Sequence, residues 1–383
     1  MPSSPFILWQ SAGFLSVRSR MIIESLSLFF FHALCVVLTG LRALFGDILL
    51  PESYILIAGF LLSNICFVLA AMVLYKLSLA VLDNETMAKR AALLFCFNPA
   101  SIFMSALYTE SLFALFSFLG MWALERFGHQ GISLAALAFV VSTAVRSNGT
   151  ISCGFILFSA ASSFIPVTDI LLGNTKISSW ISSLFSGPVN IRRCISAFAT
   201  SFWALATCAM VFFPLVAIQL LGRSVWCSAG AIVQQNPYSA WCDDPLLFSF
   251  IPNFYGHIQS TYWNQGFLHY WQMKQLPNFM IYAPMFILVA HGTITYFANR
   301  RQPNLGKKAL VYVIHAAFLA IFVLLCMHVQ VGTRFLGAYA PVVYWYAARL
   351  TFASKASASF VYSYFISFFL VGTLLFTNFY PWT

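Results

Sequence analysis

Charged side chains are scarce in this chain of 383 residues. Only 8% of the residues are Asp, Glu, Lys or Arg, and just 10 side chains are acidic. Soluble globular domains carry about 25% charged residues, so this shortage excludes an ordinary soluble domain. Hydrophobic residues make up 61% of the chain and form runs too long and too numerous for one buried core. These runs predict membrane-spanning helices, each of which needs about 20 apolar residues.

The catalytic and metal-binding motifs of soluble enzymes are also absent. The sequence has no glycine-rich phosphate loop, no GxSxG and no HExxH, which leaves soluble nucleotide chemistry without support. The nine cysteines show no CxxC or Cys/His metal spacing. We therefore expect no metal among the site residues and no bound cofactor. Asp243-Asp244 could ligate a metal ion or simply begin a turn, and Cys227 and Cys242 could form a disulfide if their shared loop faces an oxidising compartment.

The net charge of +10 arises mostly from Lys and Arg in short connectors between the apolar runs. Under the positive-inside rule such connectors face the cytoplasm, and the pattern argues against a nucleic-acid surface. About 11 spans (9–12) satisfy the rule. The predicted spans include 25–45, 54–82, 150–167, 197–221 and 335–348. The opposite side of the membrane then receives 46–53, 108–110, 146–149, 222–278, 328–334 and the C-terminus.

The predicted fold is therefore all-α, a polytopic membrane protein. Its four parts are an atypical N-terminal segment with the first span, a set of membrane helices carrying the YTES and RSNG segments, one long polar loop, and the C-terminal membrane helices. In order, these parts are residues 1–53, 54–221, 222–278 and 279–383.

Glu110 is the only acid embedded in a long apolar run, and Arg146 follows the next such run. Asn98-Pro99 and Tyr108-Thr109 interrupt the first run, which favours two shortened helices that meet near residues 108–110. An ionisable group at membrane depth costs a few kcal/mol at least, so it normally faces a cavity and has a partner. Glu110 could bind substrate or accept a proton, and Arg146 could bind phosphate. Alternatively, the two form a structural ion pair.

Further candidates fall on the same predicted side of the membrane. Asn148 opens an Asn-Gly-Thr sequon that lies too close to the membrane for ready glycosylation. The loop segment TYWNQGFLHYWQMKQLPNF combines aromatic and amide groups, which suit either sugar binding or an interfacial aromatic belt. His328 could act as an acid or base and Arg334 could contact phosphate, or both could anchor a helix end at the interface.

Five segments of the chain resemble one family. CFNPASIFMSALYTESLFAL, VRSNG, YWNQGFLHYWQMKQLPNF, MHVQVGTRFLG and FYPWT look like the endoplasmic reticulum (ER) enzymes that add the second mannose to the glycosylphosphatidylinositol (GPI) anchor precursor. The resemblance covers about residues 54–383. It implies a GT-C-type glycosyltransferase that uses dolichyl-phosphate-mannose at the lumenal face of the ER membrane and forms an α-1,6 linkage by inverting displacement. The residues weighed above that fall in matching segments are Glu110 as the catalytic candidate and, for substrate binding, Arg146, Asn148, Trp263, Asn264, Lys274, His328 and Arg334.

The resemblance also implies the partners. These are dolichyl-phosphate-mannose, the GPI-precursor lipid and the membrane itself. A small membrane subunit is a further candidate partner, and no nucleic acid is expected. One feature departs from the family. The resemblance implies a large N-terminal lumenal loop whose Trp-Asp pair supplies the catalytic base, and this chain has no Trp-Asp pair. The alternatives are therefore a truncated or inactive member serving as a binding subunit, or a lipid or small-solute transporter. An inverted repeat would favour the transporter, and the sequence shows none.

Overall fold

The computed structural model of the protein describes residues 37, 39–40, 51–185, 191–227, 242, 245–247, 251–252, 254–299, 305–380 and 382. The first helices in this part are α1 Pro51–Leu82, α2 Glu85–Cys96, α3 Ile102–Ser105, α4 Glu110–Phe127, α5 Ile132–Val145, α6 Cys153–Ser162, α7 Val167–Leu171 and α8 Ile177–Phe185. They are followed by α9 Ile191–Trp226, strands β1 Pro245–Leu247 and β2 Ile251–Pro252, α10 Phe254–Trp263, α11 Leu276–Ala298, α12 Leu310–Cys326, α13 Gly332–Tyr339, α14 Pro341–Ala353 and α15 Lys355–Thr377.

Six stretches of the described residues are helical, long and apolar enough to cross a membrane. Apart from the short antiparallel pair β1–β2, the ordered elements in these ranges are helices. The predicted all-α polytopic fold is therefore confirmed. The number of 11 spans stays a prediction, and the predicted first span at 25–45 lies outside the described residues except at 37, 39 and 40.

One of the six stretches, Glu110–Val145, contains two antiparallel helices. After α4 the chain reverses at Gly128, whose φ of +57° is a left-handed conformation that glycine adopts readily. Helix α5 then returns beside α4, and the hydroxyl oxygens of Ser117 and Ser142 lie 2.8 Å apart across the pair. Helix α4 also packs against α1 and α13, so it lies in the interior of the bundle.

The chain before α4 is irregular, as the sequence predicts. Helix α2 ends at Cys96, and the buried Asn98 side chain closes the turn by donating to the carbonyl of Phe95 and accepting from the N–H of Ala100. Ser63 and Asn64 of α1 then donate to backbone carbonyls between α3 and α4, at 3.3 and 3.0 Å. These bonds satisfy backbone groups at membrane depth. Helix α4 consequently begins at Glu110, which confirms the predicted meeting point.

Three predicted spans differ in detail. The span predicted at 335–348 is two helices, α13 and α14, because Pro341 lacks an N–H and Ala340 before it is extended (φ −109°, ψ 95°). The span predicted at 150–167 is helical as α6 only over Cys153–Ser162. Helix α9 runs to Trp226, so the first residues of the long polar loop belong to a helix.

Contacts group the connectors at two ends of the bundle, which we name after the two acidic residues of α4. At the Glu110 end, Tyr108 meets Phe376 at the end of α15, and Ser147 bonds Tyr255 of the long loop. At the Glu125 end, Glu125 accepts a hydrogen bond from Tyr312 at the start of α12. Segments that the charge pattern assigns to one side of the membrane thus lie together.

Candidate functional site

A buried ion pair occupies the Glu110 end. Glu110 is the first residue of α4 and is 1% exposed, and a carboxylate at a helix N-terminus is favoured by the helix dipole. Arg146 follows the last residue of α5 with an extended backbone, and its Nη1 lies 2.5 Å from Oε1 of Glu110. The predicted contact between these two residues is therefore present.

The RSNG turn fixes the position of Arg146. The backbone N–H of Arg146 donates to the carbonyl of Ser142, and the chain then folds back onto α5 as a 3-10 helix over Ser147–Ser152. At Gly149 an added Cβ would lie 2.5 Å from the backbone nitrogen of Thr143, so a larger residue would push the turn away from α5. Glycine is therefore required here for close approach rather than for a special backbone angle.

Arg334 of α13 completes the cluster. Its Nη1 lies 3.8 Å from Oε1 of Glu110, and its guanidinium carbon lies 4.8 Å from the ring centre of Phe103. The Arg146 and Arg334 side chains are 27% and 22% exposed, whereas the Glu110 side chain is 2% exposed. Two guanidiniums thus share one carboxylate and leave a net positive charge that is partly accessible.

Three of the predicted site residues each have one buried polar atom without a hydrogen-bond partner among the described residues. These atoms are Oε2 of Glu110, Nε of Arg334 and Nδ2 of Asn148. Buried polar atoms are hydrogen-bonded in the great majority of cases, so each exception calls for an explanation. A polar ligand beside two cations explains all three, and the net charge predicts that this ligand is an anion.

A second cluster lies on the turn that leads into α13. The ring of Tyr270 stacks on the imidazole of His328 with 4.5 Å between ring centres. The Tyr270 hydroxyl accepts from Nδ2 of Asn278 at 2.7 Å and donates to Oε1 of Gln330 at 3.2 Å. Burial holds the pKa of His328 below its ordinary value, although the backbone carbonyl of Trp263 opposes that shift. The imidazole is therefore neutral at pH 7.

The remaining predicted residues are on the surface of the loop. Trp263 ends α10 with 54% of its surface exposed, and its carbonyl faces His328. Asn264 is exposed with φ +47°, and Lys274 is exposed in the short 3-10 helix Met273–Gln275. Within the described ranges, no hydrogen bond or ion pair joins Asn264 or Lys274 to the Glu110 cluster. The structure therefore brings Glu110, Arg146 and Arg334 together and leaves these two residues apart.

A hydrogen bond joins the long loop to the RSNG turn. Oγ of Ser147 and the hydroxyl of Tyr255 lie 2.8 Å apart, and Oε1 of Gln219 in α9 accepts from the N–H of Tyr255 at the same distance. A disulfide joins Cys227 to Cys242, so the pairing that the sequence left open is formed. Asp243-Asp244, the possible metal ligands, lie outside the described residues.

Sequence reasoning missed four members of these clusters. Phe103, Tyr270, Asn278 and Gln330 all lie in the segments that carry the family resemblance. Aromatic and amide residues are common at membrane interfaces, so their type alone did not single them out. Their roles depend on contacts between distant parts of the chain, which the sequence does not display.

Comparison with known proteins assigns the family. A family model described as mannosyltransferase (PIG-V) matches residues 22–383. The chain belongs to this mannosyltransferase family. The resemblance expected from residue 54 onward is therefore confirmed. The family match begins 32 residues earlier than expected, at residue 22.

Named relatives cover most of the chain. The GPI alpha-1,6-mannosyltransferase 2 of Homo sapiens is 32% identical over 98% of this chain and 87% of its own length. That of Cricetulus griseus is 31% identical over 90% and 80%, and the GPI mannosyltransferase 2 of Drosophila pseudoobscura is 31% identical over 98% and 86%. The human alignment runs over 444 positions against 383 residues here, so at least 61 positions of that relative have no counterpart.

Proposed function

We propose that this chain is an ER mannosyltransferase that transfers the second mannose, in α-1,6 linkage, from dolichyl-phosphate-mannose to the GPI-anchor precursor. The observation that carries the proposal is the buried carboxylate of Glu110 held between Arg146 and Arg334. Family membership and the names of the relatives support the reaction. The donor is the only small molecule besides the acceptor that the proposal requires.

The two arginines suit the phosphate of the donor. A phosphate that leaves a sugar carries negative charge, and preorganised cations in a water-poor site stabilise that charge as it develops. Arg146 and Arg334 together exceed the charge of Glu110 by one, so a phosphodiester anion neutralises the cluster. Nε of Arg334, buried and without a hydrogen-bond partner in the described chain, is a donor available for a phosphate oxygen.

The proposed step is one displacement at the anomeric carbon of mannose. The acceptor hydroxyl oxygen bonds to that carbon as the bond to the phosphate oxygen breaks, and the dolichyl phosphate leaves with the electron pair. The hydroxyl proton passes to a carboxylate. Among the described side chains at this end, Glu110 is the one acid, and its Oε2, which has no hydrogen-bond partner there, is the proposed proton acceptor. This catalytic role of Glu110 stays a prediction. The alternative is that Glu110 only positions the two arginines through Oε1.

The second cluster suits the acceptor glycan. Tyr270, Asn278 and Gln330 present an aromatic ring and amide groups beside a neutral His328, and Trp263 is exposed next to them. Sugars bind through hydrogen bonds from such polar groups and through contact with aromatic faces. His328 lies six residues before Arg334, on the turn that leads into α13, and this short separation supports a glycan surface near the phosphate site.

Two features support the lumenal orientation. Disulfides persist in oxidising compartments such as the ER lumen, and Cys227–Cys242 lies in the loop fastened to the Glu110 end. The dense basic connectors belong to the opposite end, as the positive-inside rule requires of a cytoplasmic face. A site at the lumenal membrane edge suits a donor and an acceptor that are both lipid-linked. Participation of a small membrane subunit stays a prediction.

Complementation tests the proposal. Cells that lack the second GPI mannosyltransferase are given this chain, its Glu110→Gln variant, or the human relative as positive control. We expect this chain to restore surface GPI-anchored proteins and to clear the one-mannose precursor, and we expect Glu110→Gln to do neither at equal protein abundance. Rescue by the human relative without rescue by this chain overturns the proposed enzyme. Full rescue by Glu110→Gln overturns the proposed site.

A further inference from the structure

We propose that Phe103 is a positioning residue for Arg334, and that Phe376 at the end of α15 holds Phe103 in place. No comparison or sequence motif assigns a role to either ring. The inference rests on the proposed function, because the anion that Arg334 meets is the donor phosphate. It makes the C-terminal helix part of the site.

Arg334 is held differently from Arg146. Arg146 makes a direct hydrogen bond to Glu110, and its guanidinium carbon is 6.0 Å from the nearest aromatic ring centre, that of Phe113. Arg334 stands 3.8 Å from the same carboxylate, beyond hydrogen-bond distance, and 4.8 Å from the ring centre of Phe103. Its location therefore depends on the Phe103 ring face and on longer-range attraction to Glu110.

Phe103 is itself fixed by two other rings. It is 3% exposed, and edge-to-face contacts join it to Tyr108 at 5.1 Å and to Phe376 at 5.4 Å between ring centres. Tyr108 and Phe376 also meet each other at 6.0 Å. We name these three rings the aromatic platform. Because α3 is bonded to α1 through Asn64, the platform is anchored on both α1 and α15.

This arrangement preserves the donors of Arg334. A guanidinium that stacks on a ring uses its flat face, and its N–H groups point outward in its own plane. The platform can therefore fix the position of the charge without occupying the N–H groups that a phosphate needs. A carboxylate that bonded Arg334 directly would fix the charge equally well but would compete with the phosphate for those groups.

A matched pair of variants tests the role of the platform. Phe97 lies in the same segment and meets Phe369 of the same helix α15 edge-to-face at 5.7 Å. In the described part of the chain, no arginine lies over the Phe97 ring. Phe103→Leu is expected to raise the KM for dolichyl-phosphate-mannose in microsomes roughly 5- to 30-fold, the range of one desolvated cation–π contact. Phe97→Leu is expected to stay within about twofold, and Phe103→Tyr to restore most of the loss. Equal effects of the two leucine variants, or no recovery with tyrosine, overturn the proposal.

A second readout does not need activity. The full chain in detergent is treated with an arginine-specific dicarbonyl, and modification of Arg334 and Arg146 is compared by mass spectrometry. Phe103→Leu is expected to change the modification of Arg334 severalfold relative to Arg146, whereas Phe97→Leu leaves the ratio unchanged. An unchanged ratio in Phe103→Leu overturns the role of the platform, whatever the rate of transfer. A changed ratio in a chain without transfer leaves the platform standing and points to failure of the proposed function.

Discussion

Helix α4 carries one carboxylate near each end, and the two are satisfied in different ways. Glu125 is half-buried and accepts a 2.8 Å hydrogen bond from the neutral hydroxyl of Tyr312. Glu110 is fully buried between two guanidiniums, and its Oε2 has no partner in the described chain. A hydrogen bond from a neutral hydroxyl stabilises the buried carboxylate but adds no positive charge that a ligand could use. Two cations exceed what one carboxylate neutralises, so the Glu110 end retains charge that an anionic ligand can use.

The cations at the Glu125 end have partners of their own, in contrast to the excess of positive charge at the Glu110 end. At the Glu125 end, Lys307 pairs with Asp169 at 2.7 Å, Lys308 donates to a backbone carbonyl of α1, and Arg90 donates to Thr351. Cavities of about 510 and 280 Å³ also lie at this end, the first beside Phe352 and Arg349 and the second beside Glu125. The excess positive charge and the unpaired polar atoms of the proposed site lie at the Glu110 end instead.

A large effect is expected at Arg334 and a small one at Arg90, although each of these arginines lies over a phenylalanine ring. Arg334 lies 4.8 Å from the ring centre of Phe103, and Arg90 at the other end lies 4.2 Å from that of Phe352. Arg334→Gln removes the charge-assisted bonds proposed to the donor phosphate, which are worth about 3 kcal/mol, and should lower transfer about 100-fold in microsomes. Arg90→Gln should stay within about threefold, since it meets no substrate. Similar losses in the two variants would remove the distinction between the ends.

A smaller effect is expected from the disulfide, which belongs to the Glu110 end alone. Cys227→Ser frees a 15-residue segment, and a crosslink over such a loop contributes about 3 kcal/mol. Part of that loss falls on the contact between Tyr255 and the RSNG turn, so transfer should fall about tenfold and the melting temperature in detergent should drop. Cys194→Ser, an exposed free thiol at the start of α9, is the control and should change neither. Labelling of Cys242 by a maleimide before reduction would show that the bond is absent.

A modest pH effect should distinguish the glycan surface. Burial lowers the native pKa of His328, so the stability it contributes is fully present above its unfolded value of about 6.5. That stability is lost as pH falls through the lowered native pKa. His328→Asn should therefore reduce the drop in melting temperature between pH 7.5 and pH 5. An identical drop in both proteins would mean that His328 does not titrate in this way.

The smallest effect is expected at the surface pair of the Glu125 end. Lys307 holds the pKa of Asp169 below its ordinary value, so the pair stabilises the fold above pH about 4 and loses this only as pH falls through the lowered value. The pair is about half exposed, and such pairs contribute about 1 kcal/mol or less. Lys307→Gln should leave transfer unchanged between pH 5 and 8. A large loss of transfer would place this end in the reaction.

The sequence singled out the three charged residues of the Glu110 cluster for a physical reason. Glu110, Arg146 and Arg334 stand in or beside apolar runs, where an ionisable group is costly enough to be noticeable. Phe103 stands among 41 phenylalanines, so nothing in the sequence distinguishes it. The break before Pro341 was missed because composition over 335–348 is uniformly apolar, although proline offered a signal. Hydropathy therefore gives the class of fold, and long-range contacts complete the site.

The most direct test of the site replaces each carboxylate of α4 in turn. Glu110→Gln and Glu125→Gln are expressed at equal levels in microsomes that lack the second mannosyltransferase, and transfer of labelled mannose to the one-mannose precursor is measured. Glu110→Gln removes the carboxylate proposed as general base, and such a group contributes about 10²–10⁴-fold to the rate, so transfer should fall at least about 100-fold. Glu125→Gln keeps a side chain that Tyr312 can bond and should stay within about threefold. Equal transfer by the two variants, or a greater loss in Glu125→Gln, would contradict a site at the Glu110 end.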